Sequence, residues 1–250
     1  MRIIVVTGTG TGVGKTVTTA ALTACALGSG QSVAVVKPVQ TGVRAGEPGD
    51  LAEVQRLTGH ADLHEYARFA EPLAPATAAR RIGRCGPRVN ALADRIDELQ
   101  DRELVIVEGA GGALVRFNAA GETLVHLISR LAERHQIDVV LVTSAGLGTL
   151  NSAALTTAAL SRSSVSIDAV VIGEWPDQPG LAERCNLNDL ADYADAPIRG
   201  VIRGGAGALE RAAFGELAVR SLTAELGGTF DASTFITEHS AAPPQKESPA

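Results

Sequence analysis

The chain has 250 residues and a formal net charge of -6, with a pI near 5.4. Lys and Arg are scattered without runs, whereas a nucleic-acid footprint shows as a basic face, and no apolar run reaches membrane-spanning length. Hydrophobic residues make up 45% but aromatics only 3%, so the core must be aliphatic.

The first predicted element carries most information. Residues 2–16, RIIVVTGTGTGVGKT, read as an apolar strand, a glycine-rich turn and a helix opened by Lys15 and Thr16. N–H groups of such a turn point inward and the helix N-terminus adds partial positive charge, which makes a phosphate cradle. Lys15 is placed to reach β/γ-phosphates and the Thr16 hydroxyl to sit on Mg²⁺, so the substrate class is a nucleoside triphosphate. The usual pattern puts its first glycine where Thr9 stands; Gly8 lies one residue earlier, so this loop is one residue longer. The competing reading, a βα turn without ligand, is disfavoured by the strand–turn–helix context. The stretch before the loop is one arginine and a strand, which is not the pattern of a secretory leader.

Further apolar runs follow at 33–36, 104–107, 139–142 and 169–172, with a weaker one at 198–202. Continuous β-branched runs suit strands buried on both faces. Helical patterns cover 15–28, 50–58, 88–100, 122–135, 149–161, 180–193 and 207–225. This alternation predicts an α/β fold of P-loop NTPase type, a mostly parallel sheet with helices on both faces. Segments 60–87 and 113–122 give no structural signal. A single domain is expected over 1–226. The tail 227–250, low in apolar residues and ending in a run rich in Pro and Ser, is expected to be disordered.

Ligands of such sheets bind beyond the carboxyl ends of the strands, where the polar and glycine residues of this chain cluster. Lys37, in KPVQTG, ends the second strand and faces the first loop, where it can neutralise a γ-phosphate or a developing anion; a solvated surface lysine is the plainer alternative. Glu108, in VEGAGG, ends the third, as a Mg²⁺ ligand with backbone close to substrate would. Asp50 opens a helix and is either its N-cap or a third oxygen ligand. Thr16, Asp50 and Glu108 form a hard oxygen set that phosphate and water would complete.

Cys25, Cys85 and Cys185 are an odd number without metal spacing, which argues for reduced thiols in a cytoplasmic protein; Cys25 reads as a core filler. His60 and His64 lie four apart but lack a third ligand. His126, His135 and His239 are isolated. There is no GxSxG elbow and no GxGxxG fingerprint in the first turn.

At GTGTGVGKT (8–16), KPVQTG (37–42), GDLAEVQRLTG (49–59), VEGAGG (107–112) and LGTLN (147–151), the chain resembles the ATP-dependent dethiobiotin synthetases, in particular those of actinobacteria. These enzymes act in the penultimate step of biotin synthesis. The resemblance implies a homodimeric P-loop enzyme that joins 7,8-diaminononanoate, CO₂ and ATP with Mg²⁺ to give dethiobiotin, ADP and phosphate. It implies no nucleic-acid or membrane partner. By resemblance, Thr11, Lys15, Lys37 and Thr41 surround carbamate and γ-phosphate, Lys15, Lys37 and Thr11 being catalytic. Ala110, Gly111 and Gly112 line the diamine pocket. Gly148, Leu150 and Asn151 receive the substrate carboxylate from across the dimer interface, at a helix N-terminus suited to an anion. Gly12, Val13, Gly14, Lys15, Thr16 and Val17, with Gly173, Trp175 and Pro176, hold the nucleotide.

The sequence departs from the family pattern at Gly10 and Gly12, where many members are acidic, and at Gly173–Pro176, where many read adenine with an asparagine. Relaxed base selectivity follows, with Trp175 expected as an apolar wall. The rival readings are three. A partitioning or septum-site ATPase would need a lysine where Gly10 stands. An amidating synthetase of cobalamin synthesis would need an additional glutaminase domain. A non-catalytic relic would have no use for Lys15, Thr16, Lys37 and Glu108.

Overall fold

The computed structural model describes residues 1–241. Nine strands and nine helices alternate among them: β1 (Arg2–Gly8), α1 (Lys15–Gly28), β2 (Val33–Lys37), β3 (Gln40–Thr41), α2 (Asp50–Thr58), β4 (Leu63–Glu65), β5 (Arg68–Phe69), α3 (Pro75–Arg81), α4 (Val89–Asp97), β6 (Leu104–Glu108), α5 (Leu124–Ala132), β7 (Gln136–Thr143), α6 (Thr149–Ser161), β8 (Ala169–Trp175), α7 (Leu181–Ala194), β9 (Ile198–Arg203), α8 (Arg211–Ser221) and α9 (Ala232–His239). Seven strands form one sheet in the order β4-β2-β6-β1-β7-β8-β9. Every pairing in it is parallel.

Period-two alternation sends neighbouring residues of one strand to opposite faces. Ile3 and Val5 of β1 join the core under α4, α5, α6 and α7. Ile4 and Val6 join the core under α1, α2 and α8. Both faces are aliphatic, each fully buried Val, Leu or Ile being worth about 1.5–3 kcal/mol. This explains how the chain does without aromatics in the centre of the sheet. Cys25 sits in the second core, where burial pushes its thiol up to about 11.

The register sets the site. Val6 pairs with Glu108 and Val36 with Val107, so Lys37 and Glu108 leave the sheet at the same level, beside the start of the nucleotide loop.

Four expectations change. The helix predicted over 207–225 is α8 flanked by two short 3₁₀ turns, Ala206–Ala208 and Ala224–Leu226. Segment 60–87 holds β4, β5 and α3, with β5 pairing β3 as a separate two-stranded ribbon. Strand β8 runs on to Trp175 instead of ending at Ile172. The domain does not stop at 226. Asp231 caps α9 by accepting from the Thr234 N–H at 3.0 Å, and Phe230, Phe235 and Ile236 pack on the first core. Two phenylalanines anchor a segment whose low aliphatic content suggested disorder. The rest of the expected tail, 242–250, lies outside the described residues.

Candidate active site

The loop after β1 delivers Lys15 and Thr16 at the first turn of α1. Lys15 Nζ donates to the Gly10 carbonyl at 2.7 Å, arching over the loop. Thr16 Oγ1 donates to Glu108 Oε1 at 3.0 Å. Gly14 adopts φ 93° and abuts β8: a Cβ there would stand 2.6 Å from the Gly173 carbonyl, and one on Gly173 2.0 Å from that of Val13. The loop and the end of β8 therefore touch backbone to backbone, which only glycine permits at either position.

Glu108 is 0% exposed and Lys37 3%. A lone buried carboxylate is prohibitively expensive, and Lys37 compensates it. Its Nζ lies 2.7 Å from Glu108 Oε1 and 2.5 Å from Asp50 Oδ2, and donates to the Gly109 carbonyl at 3.1 Å. Burial by itself would lower the Lys37 pKa; Glu108 and Asp50 together outweigh it and hold the ammonium above its ordinary value. Lys15 moves the other way, lowered by burial and then by the Lys37 charge. Asp50 is not the N-cap of α2. Gly49 holds that position, which leaves the Asp50 carboxylate free to meet Lys37.

Gln40 carries no prediction from sequence, yet it holds this corner: its Oε1 accepts the Asp50 N–H at 2.9 Å. Its place inside KPVQTG, between the lysine and Thr41, was the available signal.

These residues enclose a cavity of about 430 Å³, lined by Thr11, Gly12, Gly14, Lys15, Thr16 and Val17 from the loop and first turn, Lys37, Gln40 and Thr41, Asp50, and Glu108, Ala110 and Gly111. A neighbouring space of about 330 Å³ shares Thr11, Thr41, Ala110 and Gly111 and adds Pro72–Pro75 and Val115, a wall the sequence did not reveal. Gly112 lines a third cavity, of about 400 Å³, with Thr9, Leu114, Leu155 and Thr156. Val13 and Pro176 line a fourth, of about 210 Å³, with Gly146, Glu174 and Glu183.

Trp175 lines none of them. It is 7% exposed and meets Phe235 of α9 edge to face, ring centroids 5.5 Å apart. The expected apolar wall for a base is thus a core residue, because the extended strand turns it away from Glu174. Gly148, Leu150 and Asn151 stand at the start of α6, outside the cavity that holds Lys15. Gly148 is the N-cap of that helix and no side chain caps it.

The oxygens of Thr16, Asp50 and Glu108 suit Mg²⁺, which uses one or two carboxylates plus phosphates. Glu108 Oε2 is buried without a hydrogen-bond partner, an acceptor available to a cation. The histidines serve locally, His60 against the Val33 carbonyl at 2.8 Å and His64 against Asp62 at 2.8 Å.

Comparison with known proteins assigns the chain to a family. Residues 2–204 match the family model described as an AAA domain. The chain is 50% identical over 240 residues to the ATP-dependent dethiobiotin synthetase BioD of Streptomyces coelicolor, covering 96% of this chain and 99% of that protein. It is 53% identical over 236 residues to the protein of that name from Frankia casuarinae, covering 94% and 98%. For the Rhodococcus jostii protein the identity is 52% over 219 residues, covering 87% and 93%. Among solved structures, the MinC:MinD cell division protein complex of Aquifex aeolicus aligns with a TM-score of 0.57 at 14% identity, covering 98% of this chain and 99% of that one, a likeness of fold alone. With half of its residues shared across nearly the whole length of these relatives, the chain belongs to the ATP-dependent dethiobiotin synthetase family.

Proposed function

We propose that the chain closes 7,8-diaminononanoate and CO₂ into dethiobiotin at the expense of ATP, in the cytoplasm. The observation that carries this reading is the convergence of Lys15, Lys37, Thr16, Asp50 and Glu108 on one cavity in a chain of this family.

The substrate amine adds CO₂ and loses a proton, giving a carbamate. A carbamate oxygen attacks the γ-phosphorus and displaces ADP, leaving a mixed carbamic–phosphoric anhydride. The second amine attacks the carbonyl carbon and expels phosphate, which closes the cyclic urea. Such phosphoryl transfer asks chiefly for positioning and charge neutralisation. Lys15 and the loop N–H groups hold the phosphates, and the Lys37 ammonium meets the carbamate and γ-phosphate, with Thr11 and Thr41 orienting them. Ala110 and Gly111 bring bare backbone to the diamine. Thr16, Asp50 and Glu108 would hold Mg²⁺, which when bound neutralises charge on the phosphate oxygens.

A homodimer fits the surface. Leu147 is 94% exposed just before α6, and exposed Leu114 and Leu155 line one cavity together. In a dimer built on this face, Gly148, Leu150 and Asn151 would offer free helix N–H groups to the partner's substrate carboxylate. Phosphate release from ATP and bicarbonate, assayed with and without diaminopelargonate, tests the reading. Release that depends on the diamine is expected; release indifferent to it would describe a switch ATPase instead.

A further inference from the structure

The nucleotide loop and the start of α6 are joined by side chains that the mechanism above does not use. Thr9 Oγ1 lies 3.1 Å from Thr143 Oγ1, and Thr143 Oγ1 lies 2.6 Å from Thr149 Oγ1. Thr149 Oγ1 donates to the Ser144 carbonyl at 2.7 Å. Thr143, the last residue of β7, is fully buried, and Thr149, the first of α6, nearly so.

The directions of these bonds follow from the last. A carbonyl only accepts, so the Thr149 hydrogen goes to Ser144. Thr149 must then accept from Thr143, and Thr143 from Thr9. Three hydroxyls form a one-way chain in which every hydrogen is committed. Its two ends are unequally secured. The loop is also held by the Thr9 N–H on the Val142 carbonyl at 3.0 Å, by Lys15 on Gly10 and by the Gly14–Gly173 contact. The start of α6 has a left-handed glycine at its N-cap and no capping side chain. Asn186 of α7 holds the preceding turn by donating to the Ala145 and Gly146 carbonyls at 2.7 and 3.0 Å, and the threonine chain is the tether that runs from α6 to the nucleotide loop.

We propose that Thr143 is a positioning residue that fixes the open end of α6 relative to the nucleotide loop, and through it the N–H groups that receive the substrate carboxylate. This rests on the carboxylate assignment made above. Thr143→Val keeps the shape and removes the relay; Thr143→Ser keeps the relay and removes the methyl.

The test is calorimetric binding of diaminopelargonate to the full chain in the presence of a non-hydrolysable ATP analogue, alongside steady-state kinetics. Thr143→Val should weaken diamine binding and raise its KM about tenfold, the scale of one lost buried hydrogen bond, with nucleotide affinity and kcat within about threefold of wild type. Thr143→Ser should restore diamine binding to within about twofold, as a hydroxyl role requires. Unchanged diamine affinity in Thr143→Val, equal loss of nucleotide and diamine, or failure of the serine variant to rescue would each overturn the proposal. Amide hydrogen exchange at Thr149 and Ser152, whose N–H groups bond the Gly146 and Gly148 carbonyls, reads the tether without any substrate. Faster exchange confined to the start of α6 in Thr143→Val supports it, and unchanged exchange refutes it. Should the valine variant not fold, Thr149→Val cuts the same link and is held to the same outcomes. Wild-type protein lacking diamine-dependent phosphate release would refute the functional reading, a result separable from the exchange data.

Discussion

The two ends of the nucleotide site are built on different physics. At the phosphate end, charged side chains clamp one another: buried Lys37 bridges buried Glu108 and half-buried Asp50, and Thr16 adds a hydroxyl. At the far end, backbone presses on backbone at Gly14 and Gly173, and the side chains lining the cavity are Val13, Ser144, Ala145, Glu174, Pro176 and Glu183. In the proposed function, the first end would fix the reacting atoms through charge and direction. The second supplies shape and few directed groups, so it should support the chemistry without choosing the base strictly.

Removing the charge clamp should do the most damage. Lys37→Ala is expected to lower kcat at least about 100-fold, the scale of one lost preorganised electrostatic donor; near-normal turnover in folded variant protein would take Lys37 out of the mechanism. The backbone contact comes next. Gly173→Ala places a methyl 2.0 Å from the Val13 carbonyl, which must push the loop aside. Its KM for ATP should rise roughly 10–100-fold, as misplacements near 1 Å do, and titration calorimetry with an ATP analogue would show whether it does. At the base itself, GTP and CTP should support turnover within about tenfold of ATP, because weakly directed pockets discriminate poorly. Background rates with both would show a selectivity that Glu174 and Glu183 do not explain.

The smallest effect concerns α9, which braces the far end from behind through Phe235 and Trp175. Hydrogen bonds from Ser233 and Thr234 hold the Asp231 carboxyl down at about 2. A depressed carboxyl contributes stability above the ordinary aspartate range and loses it as pH falls toward the folded-state value. Fluorescence of Trp175, the sole tryptophan, should therefore report loosening of α9 between about pH 4 and 2. In Asp231→Asn that acid transition should vanish; an unaltered acid profile would disconnect the cap from the helix.

Much of this was legible because strong local signals agreed with the tertiary fold. α1, α2 and α6 have the expected bounds, since glycine precedes each first helical residue and small or aliphatic residues continue it. The meeting of Lys37 with Glu108 was readable too, because each ends a buried strand of the same parallel sheet. β3 and β5 were not, since two residues carry no period. α3 is a single short run opened by Pro75, too brief for a pattern. α9 was hidden by composition: its aromatic anchors work through one specific contact with Trp175, which no periodicity reports. Trp175 was misplaced for a related reason. β8 pairs onward to Arg203 past a register shift, and those extra residues decide which face the indole takes. The wall at 72–75 arises from a turn folded over the loop, a long-range placement invisible in local sequence.

The ion cluster, with Lys37 and Glu108 buried and Asp50 about one third exposed, also governs how a nucleotide arrives. Within the main cavity the two ammonium groups of Lys15 and Lys37 are cancelled by the carboxylates of Asp50 and Glu108, and the whole chain is acidic. A triphosphate in solution therefore meets no attractive long-range field of the kind that accelerates encounter in steered systems. Capture must depend on short-range amide contacts made after arrival. The association rate should accordingly rise, not fall, with ionic strength as salt screens the repulsion between acidic chain and triphosphate, while the dissociation rate carries most of the affinity.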